Sequence, residues 1–431
     1  MKGGVILNVL IIVPNYANRV REYLILPTLE ICTISSVLKQ NKIKVDLIDM
    51  KINDYKIDDL KELFKQYTPN YILIDDNPQI HCNTIKVIEE ARKHFGPKVK
   101  IVLRGEIITM VPEVTMQRNQ NIDYGIRFMD DYALLNIIKS NNDKNILKEI
   151  YNIVYRDEEL ICVTDEKQYY YDLNSLPMPD RNLYEVDKYL QRDSETIVRS
   201  SRGCPGNCLF CIKSKFSKFK LFSMERFCDE IEELLNMGFK TFFFSDDTFA
   251  FSQIRLEEFA HEVKKRNLNI KWTSNLRVKD ISEERIKLMK ELGAYRVFIG
   301  IETINAKSSK IINKNLFEEE IIDKINILKK YDMQFHASFI LGNPGDTEED
   351  LEETIKFVNK ISPNIVTFNL IKVFPGLDLY KNKEKYQIIL TDEFWYEKDD
   401  WTYKVIAGTK QLPPEKLEKW SRKLLYGFIT G

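Results

Sequence analysis

The run Thr196-Ile197-Val198-Arg199-Ser200-Ser201-Arg202-Gly203-Cys204-Pro205-Gly206-Asn207-Cys208-Leu209-Phe210-Cys211 sets three cysteines within eight residues, directly after a short apolar stretch. Ile197–Ser200 reads as a strand, so the cysteines fall on a loop at its carboxyl end. Three thiolates at this spacing can wrap one face of an iron-sulfur cubane and leave the fourth iron without a protein ligand, while Gly203, Pro205 and Gly206 let the backbone turn tightly. An open iron is a place for a substrate or cofactor. Zinc also takes clustered cysteines, but a structural zinc site needs a fourth ligand. Cys228 lies seventeen residues on within a helical pattern, and His81, His94, His261 and His336 are all distant in sequence.

Outward from this loop, apolar runs alternate with helical spacing. Ile197–Ser200, Thr241–Ser245, Lys271–Ser274, Arg296–Gly300, Gln334–Leu341 and Ile365–Leu370 read as strands. Met224–Met237, Leu256–Arg266, Glu283–Leu292, Glu319–Tyr331 and Glu348–Ile361 read as the helices between them. Six such repeats suit a partial (β/α)6 barrel of TIM type, with its site on the carboxyl-end loops. Upstream, Val9–Val13, Val45–Ile48, Tyr71–Ile74 and Lys100–Leu103 alternate with helical segments Leu26–Lys39 and Thr84–His94. That pattern implies an α/β, doubly wound, Rossmann-like domain whose ligands bind beyond the carboxyl ends of its parallel strands.

Between the two regions the pattern weakens. Ile150–Tyr155 and Glu159–Val163 suggest a hairpin, and Pro177 and Pro179 forbid a helix and suggest an extended linker. The expected organisation is therefore a first domain over 1–140, a linker over 141–193, the barrel over 194–380 and a small, mainly helical extension over 381–431. The extension is rich in aromatic side chains (Phe394, Trp395, Tyr396, Trp401, Trp420), ends in an amphipathic helix around Pro414–Tyr426, and is expected to pack over a face of the barrel or to cover the substrate.

Composition fits this reading. With 431 residues, 44% hydrophobic and 30% charged, and a net charge of -1, the chain has the profile of a soluble protein of two domains, and nothing announces a nucleic-acid or membrane partner. The run Val5–Val13 ends at Pro14, too short for a bilayer, and reads as a buried strand of a cytoplasmic protein. Seven unevenly placed cysteines argue against a secreted disulfide framework. Cys32, Cys82, Cys162 and Cys228 read as core filler.

The Cys-x3-Cys-x2-Cys motif, with Phe210 before its last cysteine, resembles the signature of radical S-adenosylmethionine (SAM) enzymes. The resemblance continues in order through Ser245-Asp246-Asp247-Thr248-Phe249, Gly300-Ile301-Glu302-Thr303, Ser338–Thr347 and Val373-Phe374-Pro375-Gly376, segments shared by members with an N-terminal cobalamin-binding domain. It implies a [4Fe-4S] cluster on Cys204, Cys208 and Cys211, whose free iron chelates SAM. One electron then breaks a sulfur-carbon bond to give a 5′-deoxyadenosyl radical, which the protein must hold beside one chosen hydrogen, away from water and oxygen. It also implies an electron donor such as flavodoxin or ferredoxin.

Phe210, Asp246, Asp247, Arg277, Glu302 and Gly342 are the candidate cofactor-binding residues. Asp246 and Asp247 end a very apolar strand, where carboxylates could bind charged cofactor groups or merely cap a turn. Glu302 follows a strand whose Gly300 permits close approach, and by the resemblance it contacts the adenosyl group. Arg277 could pair with a carboxylate of cofactor or substrate, or with a surface acid. Gly342 opens a tight loop expected to abut the adenine. No residue stands out as a catalytic acid or base.

The first domain resembles the cobalamin-binding modules of this branch through Pro27–Ile31 and Asn41–Asp49. Those modules commonly carry paired glycines after the fourth strand and a Gly-Glu-Gly turn after the fifth, where this chain has Leu103-Arg104-Gly105-Glu106-Ile107 and Arg127-Phe128-Met129-Asp130-Asp131. No Asp-x-His-x-x-Gly motif is present. Cobalamin binding and a domain kept for folding, dimerisation or substrate cover both stay open.

The leading expectation is cobalamin-dependent methylation of an unactivated carbon in a small molecule or peptide. The alternative is a cobalamin-independent rearrangement, cyclisation, oxidation or epimerisation by the same radical. Methylthio transfer to transfer RNA is disfavoured, because Cys32 and Cys82 are too isolated for a second cluster and no basic tail is present. A non-catalytic scaffold with zinc on the three cysteines is the reading from another class. Metal analysis separates these: anaerobically reconstituted protein is expected to hold about four irons per chain and to lose them on Cys208→Ala, whereas stoichiometric zinc would defeat the cluster.

Overall fold

The computed structural model describes residues 7–16, 26–192, 195–213, 218–398 and 404–427; Val5, Ile6 and Trp401 lie outside them. The chain forms two compact units, one of residues 1–194 with 396–400, the other of 195–395 with 401–431.

The first unit is a seven-stranded sheet. Its strands are β1 (Asn8–Val13), β2 (Lys44–Asp49), β3 (Tyr71–Asp76), β4 (Lys100–Gly105), β5 (Tyr124–Ile126), β6 (Ile153–Asp157) and β7 (Leu160–Val163), in the spatial order β2-β1-β3-β4-β5-β6-β7. The first five are parallel. Four of them were legible as apolar runs because both faces are covered, so Leu10, Ile12, Ile72, Ile74 and Leu103 all enter one core with Val87, Ile88 and Ala91 of helix His81–Phe95. The fifth has three residues, too few to give a period. The order 2-1-3-4-5 puts a reversal between β1 and β3, where the crevice of a doubly wound sheet opens beyond the carboxyl ends.

Residues 141–193, expected as a linker, lie within the first unit. Their hairpin, β6 and β7, extends the first sheet antiparallel to β5. The proline segment is extended as expected, but its polar groups are tied to helix Leu29–Gln40. The Asp180 carboxylate accepts from Ser35 Oγ at 2.7 Å and Lys39 Nζ at 2.6 Å, its N–H donates to the Cys32 carbonyl at 3.1 Å, and Ser36 Oγ donates to the Met178 carbonyl at 2.6 Å. Further on, Tyr189 donates its hydroxyl to buried Asp49. Composition reads such a stretch as loop because it cannot see these partners.

In the second unit β8 (Thr196–Val198) leads into the short antiparallel pair β9 (Ser201–Arg202) and β10 (Lys220–Leu221), which brackets the cysteine loop. There follow β11 (Thr241–Phe244), β12 (Lys271–Leu276), β13 (Ala294–Glu302), β14 (Gln334–Leu341) and β15 (Ile365–Leu370), and then a small hairpin, β16 (Ile388–Leu390) and β17 (Ala407–Thr409). β8 and β11 to β15 form one sheet in sequence order, parallel throughout. All their carboxyl ends therefore share one edge. Phe244 and Trp272 stack at 4.4 Å between centroids, with Phe227, Phe249 and Phe259 packed around them. The C-terminal helix Pro414–Gly427 lays Leu417, Trp420 and Leu424 against Leu341 and Leu370. The tail thus packs on a face of this sheet, one of its two expected roles.

Gly105 illustrates how tightly the first sheet's edge is built. Its φ is +138°, and a Cβ there would lie 1.8 Å from the Asp76 carbonyl oxygen. Gly105→Ala is expected to cost more than about 3 kcal/mol in urea unfolding, combining backbone strain with a main-chain clash.

Candidate functional site

Asp246 sets the start of the cysteine loop. Its side chain is fully buried at the end of β11 and receives the Ser200 N–H at 3.0 Å, Ser200 Oγ at 2.8 Å and the Ser201 hydroxyl. Burial pushes this carboxyl above the ordinary range, and the serine hydrogen bonds pull against that. Asp246 faces inward and does not bind cofactor groups from the cavity; it clamps the end of β8 just ahead of Arg202 and Gly203. Asp247, the next residue, points the other way.

The cysteines open on a cavity of about 750 Å³, lined also by Phe210, Asp247, Arg277 and Glu302. Besides Gly342, seven of the eight residues expected around a cofactor thus share one space, the three cysteines and these four, with only Asp246 outside it, although they are spread over about a hundred residues of chain. The Gly206 N–H donates to Cys204 Sγ at 3.3 Å, and burial raises the Cys204 thiol, with Asp247 adding to the rise and Arg277 opposing it. Among the described residues no three His, Cys, Asp or Glu side chains gather as around a single metal ion. Three cysteines on one cavity supply the ligands of a cubane with one open iron and fall one short of a closed structural zinc site.

Glu302 is held in an unusual way. The pairing of β13 with β14 shifts between Gly300 and Glu302, a bulge that re-aims the side chain, and Glu302 takes φ +70°, a left-handed conformation that costs a non-glycine residue about 1–3 kcal/mol. A Cβ on Gly300 would lie 2.2 Å from Glu302 Oε1, so only glycine lets the carboxylate fold back along the strand. Lys314 Nζ donates to the Gly300 carbonyl at 2.8 Å and lies 3.5 Å from Glu302 Oε1. Burial raises the Glu302 carboxyl and Lys314 holds it down. Strain of this kind concentrates where a side chain must be presented to a ligand.

Arg277 lines the cavity but is already engaged. Its Nε and a terminal nitrogen donate to Asp280 at 2.6 and 2.9 Å, a bidentate pair that raises the guanidinium. The protein acid it pairs with, Asp280, is buried rather than at the surface. Gly342 lies outside the cavity: with φ +88°, its missing Cβ leaves room for Leu417, 2.6 Å from where that atom would stand. The loop it opens packs on the C-terminal helix rather than forming the cavity wall, because that helix brings an apolar side chain to it.

Several wall residues were not foreseen. Asn275, Lys314, His336, Ser338, Thr367 and Asn369 are among the polar residues of the lining. The last four project from β14 and β15 in two cross-strand pairs, His336 with Thr367 and Asn369 Nδ2 with Ser338 Oγ at 3.0 Å. Burial and the nearby Arg296 depress the imidazole. The signal available in the sequence was period two, polar residues at 336 and 338 and at 367 and 369 within otherwise apolar strands.

At the carboxyl edge of the first sheet, Asp75 pairs with Arg104 at 2.6 Å and Asp76 with His81 Nδ1 at 2.8 Å, all buried. Asp76 Oδ1 and Arg104 Nε remain buried without a partner among the described residues. Phe128 stands in the turn after β5 with φ +59°, the conformation a glycine would otherwise supply, and Asp130 beneath it accepts from Asn152 Nδ2 at 2.8 Å.

Comparison with known proteins bears on this geometry. Residues 198–358 match the Radical SAM superfamily. The chain is 27% identical to an uncharacterised methyltransferase of Pyrococcus horikoshii over 407 residues, 93% of this chain and 87% of that one. It is 25% identical to the anaerobic magnesium-protoporphyrin IX monomethyl ester cyclase of Rubrivivax gelatinosus over 78% of this chain, spanning only 62% of the cyclase. Among solved structures it resembles the radical SAM methyltransferase TsrM from Kitasatospora setae with cobalamin and a [4Fe-4S] cluster bound (TM-score 0.71, 14% identity, 86% of this chain and 73% of that one). It also resembles the cobalamin-dependent radical SAM enzyme OxsB with aqua-cobalamin and SAM bound (TM-score 0.70, 19% identity, 98% of this chain and 62% of that one). At these identities the structural likeness establishes the fold. The chain carries a radical SAM domain, which implies a [4Fe-4S] cluster and SAM.

Behind the cavity, burial pushes Asp346 up to about 6, against hydrogen bonds from Asn343 and Thr303 that pull it down. Over the window from the ordinary carboxylate range to about 6 the folded protein keeps a proton that the unfolded chain has released, so the contribution of Asp346 to stability is fullest below that window and lost as pH rises through it. Asp346→Asn is expected to flatten the fall in urea-unfolding free energy between about pH 4.5 and about pH 7 by roughly 1–3 kcal/mol. Asp130, also raised to about 6 by burial, adds a slope of the same sign to both proteins, so the difference between them is the readout.

Proposed function

We infer, from a chain whose residues 198–358 form a radical SAM domain, that this protein methylates an unactivated carbon of a small molecule or peptide with the help of cobalamin. The single observation that carries the reading is the convergence of the three cysteines, Asp247 and Glu302 on one cavity at the carboxyl edge of a parallel sheet. The doubly wound first unit, with its crevice between β1 and β3, supports the second cofactor. The match over nine tenths of the chain to a protein named as a methyltransferase supports methyl transfer.

Cys204, Cys208 and Cys211 would hold the cluster, and the thiol protons must leave as they ligate. When bound, the cluster supplies the electron that cleaves SAM, and cobalamin supplies a carrier for the methyl group. The chain's own residues do the rest. Glu302, Asp247 and Asn275 offer polar contacts at the wall of a partial barrel, with Lys314 opposing the rise that burial imposes on the Glu302 carboxyl. Leu276, Phe298 and Ile299 exclude water from the same space. In the first unit, the unpartnered Asp76 Oδ1 and Arg104 Nε are polar atoms that a ligand's amide groups could satisfy. The reading places the enzyme in the cytoplasm with a flavodoxin- or ferredoxin-type donor; no helix among the described residues is long and apolar enough to cross a membrane.

A second reading, radical rearrangement, cyclisation, oxidation or epimerisation without cobalamin, is favoured by the large side chains Phe128 and Asp130 where related modules carry glycines. Anaerobic reconstitution with hydroxocobalamin, SAM and a reductant separates the two. Stoichiometric cobalamin and S-adenosylhomocysteine formed alongside methylated product are expected. Abundant 5′-deoxyadenosine with neither cobalamin uptake nor S-adenosylhomocysteine would move the assignment to the second reading.

A further inference from the structure

Glu302 lies in a left-handed conformation at a strand bulge, and something must hold it there. The neighbouring turn does so. Asn343 is fully buried, and its Nδ2 donates to the Glu302 carbonyl at 3.2 Å and to the Ile340 carbonyl at 2.8 Å, with Asp346 Oδ2 a third acceptor at 3.2 Å. Three acceptors around one nitrogen leave no choice of amide orientation. The opposite atom, Asn343 Oδ1, is buried without a partner among the described residues, the cost of turning the nitrogen toward Glu302. Asp346 in turn accepts from the Asn343 N–H at 3.2 Å and from Thr303 Oγ1 at 3.2 Å. Neither Asn343 nor Asp346 lines the cavity, yet Asn343 holds the carbonyl of the residue that does and Asp346 holds the hydroxyl of the residue after it, Thr303.

We propose that Asn343, seated by Asp346, is a positioning residue that fixes the Glu302 main chain and so aims its carboxylate at SAM. This rests on the SAM-binding reading of the cavity. The side-chain end of Glu302 is set by Lys314 and by the missing Cβ of Gly300; the main-chain end is set by the Asn343 amide. With the amide removed, the carbonyl of Glu302 loses a buried donor, and the left-handed backbone loses its side-chain tie on the β14 side.

The test is a double-mutant cycle on the anaerobically reconstituted full chain, with SAM itself as the probe and equilibrium dialysis as the readout. Asn343→Ala and Glu302→Gln are each expected to weaken SAM binding by about tenfold or more with the iron content per chain unchanged. Combined, they are expected to be no more than about twofold worse than Glu302→Gln alone, because the amide acts through the carboxylate. A double variant whose loss equals the product of the single losses overturns the proposal, as does an Asn343→Ala protein that binds SAM like the wild type. Should Asn343→Ala fail to retain iron, Asp346→Ala takes its place in the same cycle under the same criteria. Wild-type protein that holds its cluster but does not bind SAM sinks the functional reading itself, whereas wild-type binding left intact by Glu302→Gln sinks only the inference.

Discussion

The second unit depends on one buried carboxylate. Asp246 stands two residues beyond β11, and by taking the N–H and hydroxyl of Ser200 and the hydroxyl of Ser201 it binds the segment that leaves β8. A carboxylate without solvent contact is costly unless its lone pairs are filled, and here three donors fill them. What begins two residues later is the cysteine loop, so the place from which the thiols depart is set by this clamp. The neighbouring Asn275 fixes the other side of the same turn, donating to the Asp246 carbonyl at 2.8 Å. From that pair of anchors the cavity wall follows in order, Asp247 from β11, Arg277 after β12, Glu302 at the end of β13.

The architecture was largely legible because strands and helices alternate with distinct periods, and the strands Gln334–Leu341 and Ile365–Leu370 have the bounds read from the sequence. β5 escaped because three residues carry no period. The segment around Pro177 and Pro179 was read as an extended linker, and its ties to Ser35, Ser36 and Lys39 were not legible because those partners lie some 140 residues earlier.

The site divided along the same line. Spacing within one loop found Cys204, Cys208 and Cys211 and put Phe210 beside them, and strand ends pointed to Asp247 and Glu302. Sequence could not tell that Asp246 and Asp247 face opposite ways, that Arg277 is spoken for by Asp280, or that Gly342 yields its space to Leu417. Each of these depends on a neighbour brought in by the fold. Lys314 was invisible for the same reason: it lies on a turn after a short helix, and only its reach to Gly300 and Glu302 gives it a role.

Among the described residues β15 pairs on one side only, and its Thr367 and Asn369 line the cavity. A closed eight-stranded barrel offers its interior only from above, and every strand is committed on both sides. Six strands leave a flank. Changes in length or side chain along β15 can enlarge or reshape this wall without breaking hydrogen bonds to a further strand, so the cavity can adapt to bulkier guests by altering one rim while the cluster loop, five strands away across the sheet, keeps its geometry.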